Sequence, residues 1–83
     1  MNNDIESIHI SEVIHFCFSN GIYVKLEQTQ TYWNRIVVET PKEKIRGNEL
    51  YKIGDKKDRI ALEKKRDELY RYFYKKIKEN QKK

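Results

Sequence analysis

The most regular hydrophobic pattern of the chain lies near its C-terminus and predicts one long amphipathic helix. Asp55 is the expected N-cap, and a helix over residues 56–80 would be about 38 Å long at 1.5 Å per residue. When residues are placed at 100° steps, its apolar side chains fall within about 80° of one another. This core-facing stripe consists of Leu62, Leu69, Phe73 and Ile77, with Tyr70 at its edge.

Two segments in the middle of the chain alternate apolar and polar residues at the period of a β-strand. Residues 22–28 alternate regularly, residues 32–40 are rich in β-branched and aromatic side chains, and the polar residues 29–31 form a plausible hairpin loop. One face of this hairpin should join the core: Ile22, Val24, Leu26, Ile36 and Val38. The other face should carry Tyr23, Lys25, Glu27, Trp33, Arg35 and Val37.

The N-terminal segment fits two patterns. Residues 8–18 alternate as a strand would, and Asn20-Gly21 is a strong hairpin signal. The same residues also carry a helical stripe, with Ser11 as N-cap and Gly21 as a left-handed stop. The sequence favours a short helix at 11–20 and leaves the extra strand open.

The connection to the long helix carries a second start signal. Thr40-Pro41 followed by Glu43 is typical of a helix N-terminus, and Gly47 would end the resulting turn or short helix. Residues 49–53 are expected to form one more turn or a short strand. The chain is therefore predicted to be a single α+β domain over residues 1–83, in which an antiparallel hairpin or sheet packs against the C-terminal helix. Residues 81–83 are expected to form a frayed tail.

The positive charge is concentrated in the C-terminal third. Residues 1–54 carry six basic and seven acidic side chains, whereas residues 55–83 carry twelve basic and six acidic ones. Opposite the apolar stripe of the predicted helix runs a strip of cations, which we call the helix strip: Lys57, Lys64, Arg71, Lys75, Lys78 and Lys82. Such a strip favours a polyanionic partner, although a lysine-rich outer face also simply keeps a helix soluble.

A second candidate surface lies on the hairpin, where aromatic rings neighbour cations. Tyr23 and Lys25 share a face of the first strand, and Trp33 and Arg35 share the same face of the second. Rings beside cations on an exposed sheet occur in single-stranded nucleic-acid platforms and in protein interface hot spots. The competing interpretation places Trp33, the only tryptophan, in the core beneath the long helix.

The sequence offers little for catalysis. His9, His15 and Cys17 are the only soft metal ligands and lack the spacing of zinc sites, so we expect no metal and no cofactor. Neither a glycine-rich phosphate loop nor a nucleophile elbow occurs. With one cysteine and no membrane-length apolar segment, we expect a cytoplasmic, non-enzymatic protein with neither a membrane nor a small-molecule substrate as partner.

These features predict an interaction protein that binds a nucleic-acid-handling protein through a basic helix face and an aromatic anchor. The excess of lysine, isoleucine and asparagine over alanine, glycine and proline hints at an AT-rich genome or mobile element. By analogy of class, a phage or mobile-element inhibitor of a host defence nuclease, of the anti-CRISPR type, fits such a protein. The alternative is a protein that binds RNA or DNA directly through the helix strip.

Overall fold

The chain folds as an antiparallel four-stranded sheet packed against a long C-terminal helix and a short N-terminal helix. The structure, a computed structural model, describes residues 8–81. Its elements in chain order are α1 (Ile10–Ser19), β1 (Tyr23–Gln30), β2 (Trp33–Glu39), β3 (Lys44–Arg46), β4 (Tyr51–Lys52) and α2 (Lys56–Gln81). The predicted α+β class is confirmed, and the ambiguous first segment is a helix. Of the predicted tail, Gln81 is the last residue of α2, and residues 82–83 lie outside the described residues.

The N-terminal helix follows from its apolar stripe and from the residues at both of its ends. Val13 and Cys17 are fully buried, one helical turn apart. The N-cap is His9 rather than Ser11, because the His9 ring nitrogen Nδ1 accepts the backbone N–H of Ser11 at 3.1 Å. Gly21 ends the helix as predicted, with φ of +77°.

The sheet is built around β2, which pairs antiparallel with every other strand. The strand order is β1-β2-β3, and β4 pairs with β2 beyond the end of β3. Val24 lies opposite Val38 and Leu26 opposite Ile36, as expected for the hairpin. Thr29 is an extra residue in β1, since the register shifts between Gln28 and Gln30.

The segment predicted to start a second helix forms the hairpin loop between β2 and β3 instead. The Thr40 hydroxyl accepts the backbone N–H groups of Lys42 and Glu43 at 3.2 and 3.0 Å, as a helix cap would. The Thr40 N–H, however, donates to the Glu43 carbonyl at 2.8 Å, which closes the loop. The next residues then pair with β2, where Ile45 lies opposite Val38.

The long helix begins and ends close to its predicted limits. The Asp55 carboxylate accepts the backbone N–H of Asp58 at 3.0 Å, which confirms the predicted cap. The Asp58 carboxylate in turn accepts the backbone N–H of Lys52 at 2.7 Å and ties β4 to the helix start.

The core lies between the inner face of the sheet and the two helices. Tyr70 is its central helical residue and is only 3% exposed, not an edge residue as predicted. Leu26, predicted to be buried, is 52% exposed, because an open groove lies between this part of β1 and α2. The buried cluster consists of Val13, Cys17, Ile22, Ile36, Val38 and Tyr70, with Leu62, Leu69, Phe73 and Ile77 partly buried against it.

Candidate interaction surfaces

The face of the sheet turned away from the helices carries a dense arrangement of charged and aromatic side chains. Side chains alternate between the two faces of a strand, and cross-strand partners share a face. Pairing therefore brings β3 and β4 residues beside those of the predicted hairpin surface. We call this surface the outer face: Tyr23, Lys25, Glu27, Trp33, Arg35, Val37, Glu39, Lys44, Arg46 and Lys52.

Two glutamates organise the centre of the outer face. Glu39 binds Lys25 at 2.7 Å and Lys44 at 3.5 Å. Glu27 binds Arg35 at 2.7 Å and Arg46 at 3.6 Å. Each carboxylate therefore links cations on two different strands.

The hydrogen bonds within this network lower the pKa of both carboxyl groups. Arg35 donates to Glu27, and Lys25 donates to Glu39; each bond stabilises the charged form of the acid. Both glutamates therefore stay ionised at neutral pH. Exposed pairs of this kind contribute little to stability on their own, so the network mainly fixes where the cations lie.

The outer face has an excess of positive charge, and three of its cations are more exposed than either of its carboxylates. It carries five cations (Lys25, Arg35, Lys44, Arg46 and Lys52) against two carboxylates. The side chains of Lys25, Lys44 and Arg46 are 46–55% exposed, whereas those of Glu27 and Glu39 are 36% and 30% exposed. Lys25, Lys44 and Arg46 are therefore the most accessible charges of this salt-bridge network, while both carboxylates remain partly exposed.

Aromatic rings lie near both ends of the outer face. Tyr23 is 37% exposed, stacks on Phe18 at a centroid distance of 5.1 Å, and has the Lys25 ammonium 5.5 Å from its ring centre. Trp33 pairs with Gln30 and Lys52 at the opposite end. Trp33 is half-buried and lies outside the buried cluster, so the sheet, not the long helix, is its support.

The helix strip is divided by the way α1 packs on α2. Lys57, Lys64 and Lys75 are exposed, and within residues 8–81 none of them forms a salt bridge. Over 18 helical positions these three cations extend along about 27 Å of the helix, at 1.5 Å per residue. Lys82, the last member of the strip, lies outside the described residues.

Arg71 and Lys78 are held against the N-terminal segment instead of pointing freely outward. The Arg71 guanidinium donates to the Ile8 carbonyl at 3.0 Å. The Lys78 ammonium lies 4.6 Å from the ring centre of Phe16 and 5.5 Å from that of Tyr74, whose rings contact each other edge to face. Both side chains thus help to attach α1 to α2, which a helical wheel of α2 alone cannot show.

The two surfaces lie on opposite sides of the molecule. The helix strip is on the side of α2 away from its apolar stripe, and the outer face is on the side of the sheet away from α2. A partner with one flat surface can therefore contact only one of them. The structure brings Tyr23, Lys25, Trp33 and Arg35 together on one face but separates all four from Lys57, Lys64 and Lys75.

Sequence reasoning missed three cations of the outer face: Lys44, Arg46 and Lys52. They belong to β3 and β4, in a segment whose capping signal favoured a turn or helix. The alternating pattern of Lys44-Ile45-Arg46 was the available signal, but three residues are too few to establish a period.

The remaining candidate residues form no reactive site among residues 8–81. Burial raises the pKa of the Cys17 thiol to about 11, and its Sγ donates to the Tyr70 carbonyl at 3.4 Å. No cluster of three or more histidine, cysteine, aspartate or glutamate side chains in this part of the chain could hold a metal ion. Neither described helix is long and apolar enough to cross a membrane.

Comparison with protein-family models, with curated proteins and with solved structures gave no match.

Proposed function

We propose that this protein is a small non-enzymatic interaction protein that binds a nucleic-acid-handling protein, and that the outer face is its contact surface. The supporting observation is the arrangement of Trp33 and Tyr23 at the two ends of a network whose exposed cations outnumber its carboxylates. Tryptophan, tyrosine and arginine are the residues that dominate binding energy at protein interfaces. Here the sheet backbone holds them in fixed positions.

The mixed charge of the outer face favours a protein over a nucleic acid as its partner. Glu27 and Glu39 lie between the cations, where a phosphate backbone would meet negative charge as well as positive. A protein surface can place acids opposite Lys44 and Arg46 and a donor opposite each glutamate. Complementary charges of this kind give specificity and speed association.

Proteins that cut or copy nucleic acid hold their metal ions with clustered carboxylates, so they carry an acidic surface at the catalytic site itself. The chain has a net charge of +5, which favours approach to such a surface. Inhibition of a host defence nuclease, of the anti-CRISPR type, is the most specific form of this proposal.

Affinity capture with the tagged protein, with and without nuclease treatment of the lysate, tests the proposal. A stoichiometric protein that is retained after nuclease treatment is the expected result. Trp33→Ala and the double variant Lys44→Gln/Arg46→Gln should each reduce its capture at least about tenfold, the effect of losing about 1.4 kcal/mol.

Matched controls come from the other side of the molecule. Tyr72→Ala removes a ring that is 53% exposed on α2, and Lys57→Gln/Lys64→Gln removes two exposed cations. Neither should change capture. The proposal fails if every retained partner disappears on nuclease treatment, or if the outer-face variants capture as much protein as the controls do.

A second candidate function, direct binding of RNA or DNA, is favoured by Lys57, Lys64 and Lys75. These exposed lysines follow one side of α2, and no salt bridge within the described residues neutralises them. Affinity for a fluorescent oligonucleotide should then fall with salt, with a log–log slope of about 0.7–0.9 per neutralised phosphate. Replacing the three lysines by glutamine should reduce that slope, whereas Lys44→Gln/Arg46→Gln should not.

A further inference from the structure

The first strand has a free edge on the side away from β2. Strand β1 pairs only with β2 in the described sheet. The backbone groups of Ile36 point away from β1, since the Ile36 carbonyl accepts the N–H of Gly47 at 2.8 Å. By the alternation of an antiparallel ladder, the backbone groups of Val24 and Leu26 point away from β2, toward the free edge.

The fold covers this edge at one residue and leaves the next open. The Tyr70 hydroxyl bonds both backbone groups of Val24, accepting its N–H at 3.0 Å and donating to its carbonyl at 3.4 Å. Leu26 has no such partner: outside the β1–β2 pairing, no hydrogen bond in the described part of the chain involves it. Its N–H and C=O are therefore available to another extended chain.

A groove runs beside this open edge, between β1 and α2. It has a volume of about 180 Å³ and an apolar floor made by Val24, Leu26, Ile36 and Leu62. Lys25 lies on one side, and Glu63 and Arg66 lie on the helix side. Arg66 is exposed at the rim of the groove and donates a hydrogen bond to the Asp67 carboxylate at 3.2 Å.

We propose that the free edge of β1 binds an extended segment of a partner protein, which adds to the sheet as an antiparallel strand. Unpaired backbone groups in strand conformation are a template for an added strand, and the groove accepts one apolar side chain opposite Leu26. The inference rests on the proposed function only in that the partner is a protein. It adds where and how that partner binds.

Charge complementarity selects the neighbours of that apolar residue. On the outer face, an added strand would place one residue opposite Lys25 and another opposite Glu27. An acid at the first position and a base at the second extend the network of Lys25–Glu39 and Glu27–Arg35 by one strand. Because the added strand is antiparallel to β1, the preferred partner segment is, from its N-terminus, a basic residue, an apolar residue and an acidic residue.

A second copy of this chain is a poor occupant of the same edge. If Leu26 paired with Leu26 of another copy, Gln28 would have to pair with Val24, whose backbone groups Tyr70 already bonds. If the register moved by one residue to avoid Val24, Glu27 would lie directly opposite Glu27, and like charges at such positions are destabilising. The free edge of β1 therefore does not pair well with β1 of a second copy, but it can pair with a strand of different sequence.

The test uses a defined probe, the capped pentapeptide Thr-Thr-Lys-Ile-Glu, and amide hydrogen exchange of the whole protein. The peptide ends at its glutamate, so no residue of it has to pair with Val24, whose backbone groups Tyr70 bonds. In antiparallel register it sets lysine beside Glu27, isoleucine over the groove and glutamate beside Lys25. In the free protein we expect slow exchange at Val24, bonded by Tyr70, and fast exchange at Leu26. Saturating peptide should slow exchange at Leu26 about tenfold and leave Val24 unchanged.

Two controls separate strand addition from nonspecific binding. Methylating the backbone nitrogen of the peptide's isoleucine removes its bond to Leu26, and exchanging its lysine and glutamate reverses both charge pairs. Each change should weaken binding about tenfold or more. Leu26→Pro removes the N–H at the free edge without touching the bonds to β2, and should weaken peptide binding about tenfold or more.

Unchanged exchange at Leu26 under saturating peptide, or equal binding of the N-methylated peptide, overturns the inference. The captured partner distinguishes this failure from failure of the proposed function. If Leu26→Pro captures the partner normally while Trp33→Ala does not, a protein partner exists and strand addition is wrong. If no protein survives nuclease treatment, the proposed function itself is wrong.

Discussion

The hydroxyl of Tyr70 bonds the backbone of Val24, 46 positions earlier in the chain, with its oxygen 3.0 Å from the Val24 nitrogen. The carbonyl of the same tyrosine accepts a bond from the Cys17 thiol at 3.4 Å. One residue of α2 thus contacts β1 through its side chain and α1 through its backbone. The packing of three elements depends on this position, and it also marks where the free edge of β1 begins.

Removing only the hydroxyl group of Tyr70 should therefore destabilise the protein, although the substitution removes a single oxygen atom and keeps the ring. Tyr70→Phe keeps the ring but leaves the Val24 N–H without its partner at a half-buried position. Leaving such a group unsatisfied costs about 1–3 kcal/mol. We expect the free energy of unfolding, measured by urea titration, to fall by that amount.

Tyr72 provides the matched control, since its ring is 53% exposed on the same helix. Tyr72→Phe should change the free energy of unfolding by less than about 0.5 kcal/mol. Equal effects of the two substitutions would contradict the role assigned to the Tyr70 hydroxyl.

The turn between α1 and β1 requires glycine for two physical reasons that can be measured separately. Gly21 has φ of +77°, and a Cβ at this position would lie 2.9 Å from Cγ of Pro41. Gly54 has φ of +88°, but a Cβ there would have no atom within 4 Å, so this position reports backbone strain alone. Gly54→Ala should cost about 1–2 kcal/mol of unfolding free energy, and Gly21→Ala should cost more.

Truncating Pro41 isolates the steric part of the Gly21 effect. In the background of Pro41→Ala, Gly21→Ala should cost no more than Gly54→Ala does in the native sequence. A Gly21→Ala cost that stays the same in both backgrounds would show that Pro41 moves aside without penalty.

The elements with strong local signals were predictable from sequence. For α2, the cap at Asp55 and the apolar stripe from Leu62 to Ile77 agree with each other, and the helix begins where the cap predicts. For β1 and β2, alternation set which residues face the core, and only Leu26 departs from it. Its exposure depends on the open groove between β1 and α2, which is a tertiary property.

The segment from Thr40 to Lys52 shows where local reasoning stops. The Thr40 hydroxyl accepts the two hydrogen bonds expected of a helix cap, so the local capping interaction is the predicted one although no helix follows. The chain nevertheless turns back because Ile45 can pair with Val38 and extend the sheet. A three-residue strand is too short for an alternating pattern to be recognised in the sequence. For that reason the sequence does not predict β3 or place the cations of β3 and β4 on the outer face.

The candidate surfaces were predictable only in part, for a related reason. A helical wheel places Arg71 and Lys78 opposite the apolar stripe, but it contains no information about the neighbouring helix. In the structure the N-terminal segment contacts both residues, through the Ile8 carbonyl and the Phe16 ring. Where a helix has two neighbours, one apolar stripe does not define all of its buried positions.

Burial of Cys17 predicts that its thiol reacts slowly with disulfide reagents. Its pKa is raised to about 11 by burial, so at about pH 8 the thiolate is scarce in the folded protein. A disulfide reagent should modify Cys17 at least about 100-fold more slowly in buffer than in denaturant, where the thiol is exposed and its ordinary pKa of 9.0 applies. Comparable rates under the two conditions would contradict the burial.

The same shift predicts a loss of stability in alkali. The folded pKa lies above the ordinary thiol pKa of 9.0, so the contribution of the neutral thiol is complete below that value. It is lost as pH rises toward about 11, because the unfolded chain releases its proton first. Cys17→Ser, which does not titrate in this range, should show a smaller decline in unfolding free energy between about pH 8 and pH 10.

The two glutamates of the outer face should make the protein less stable in acid, whereas Cys17 makes it less stable in alkali. Glu27 and Glu39 have pKa values lowered in the folded state, first by their hydrogen bonds to Arg35 and Lys25. Their contribution to stability is present above the unfolded glutamate pKa of 4.5 and is lost as pH falls through the folded values. Glu27→Gln should therefore reduce the difference in unfolding free energy between neutral and acidic pH, whereas Glu63→Gln on α2 should not.

High salt should weaken the same pH dependence of the unfolding free energy, because the carboxylates are partly exposed. A pH dependence that is identical in the two variants would mean that the network positions the cations of the outer face without stabilising the fold.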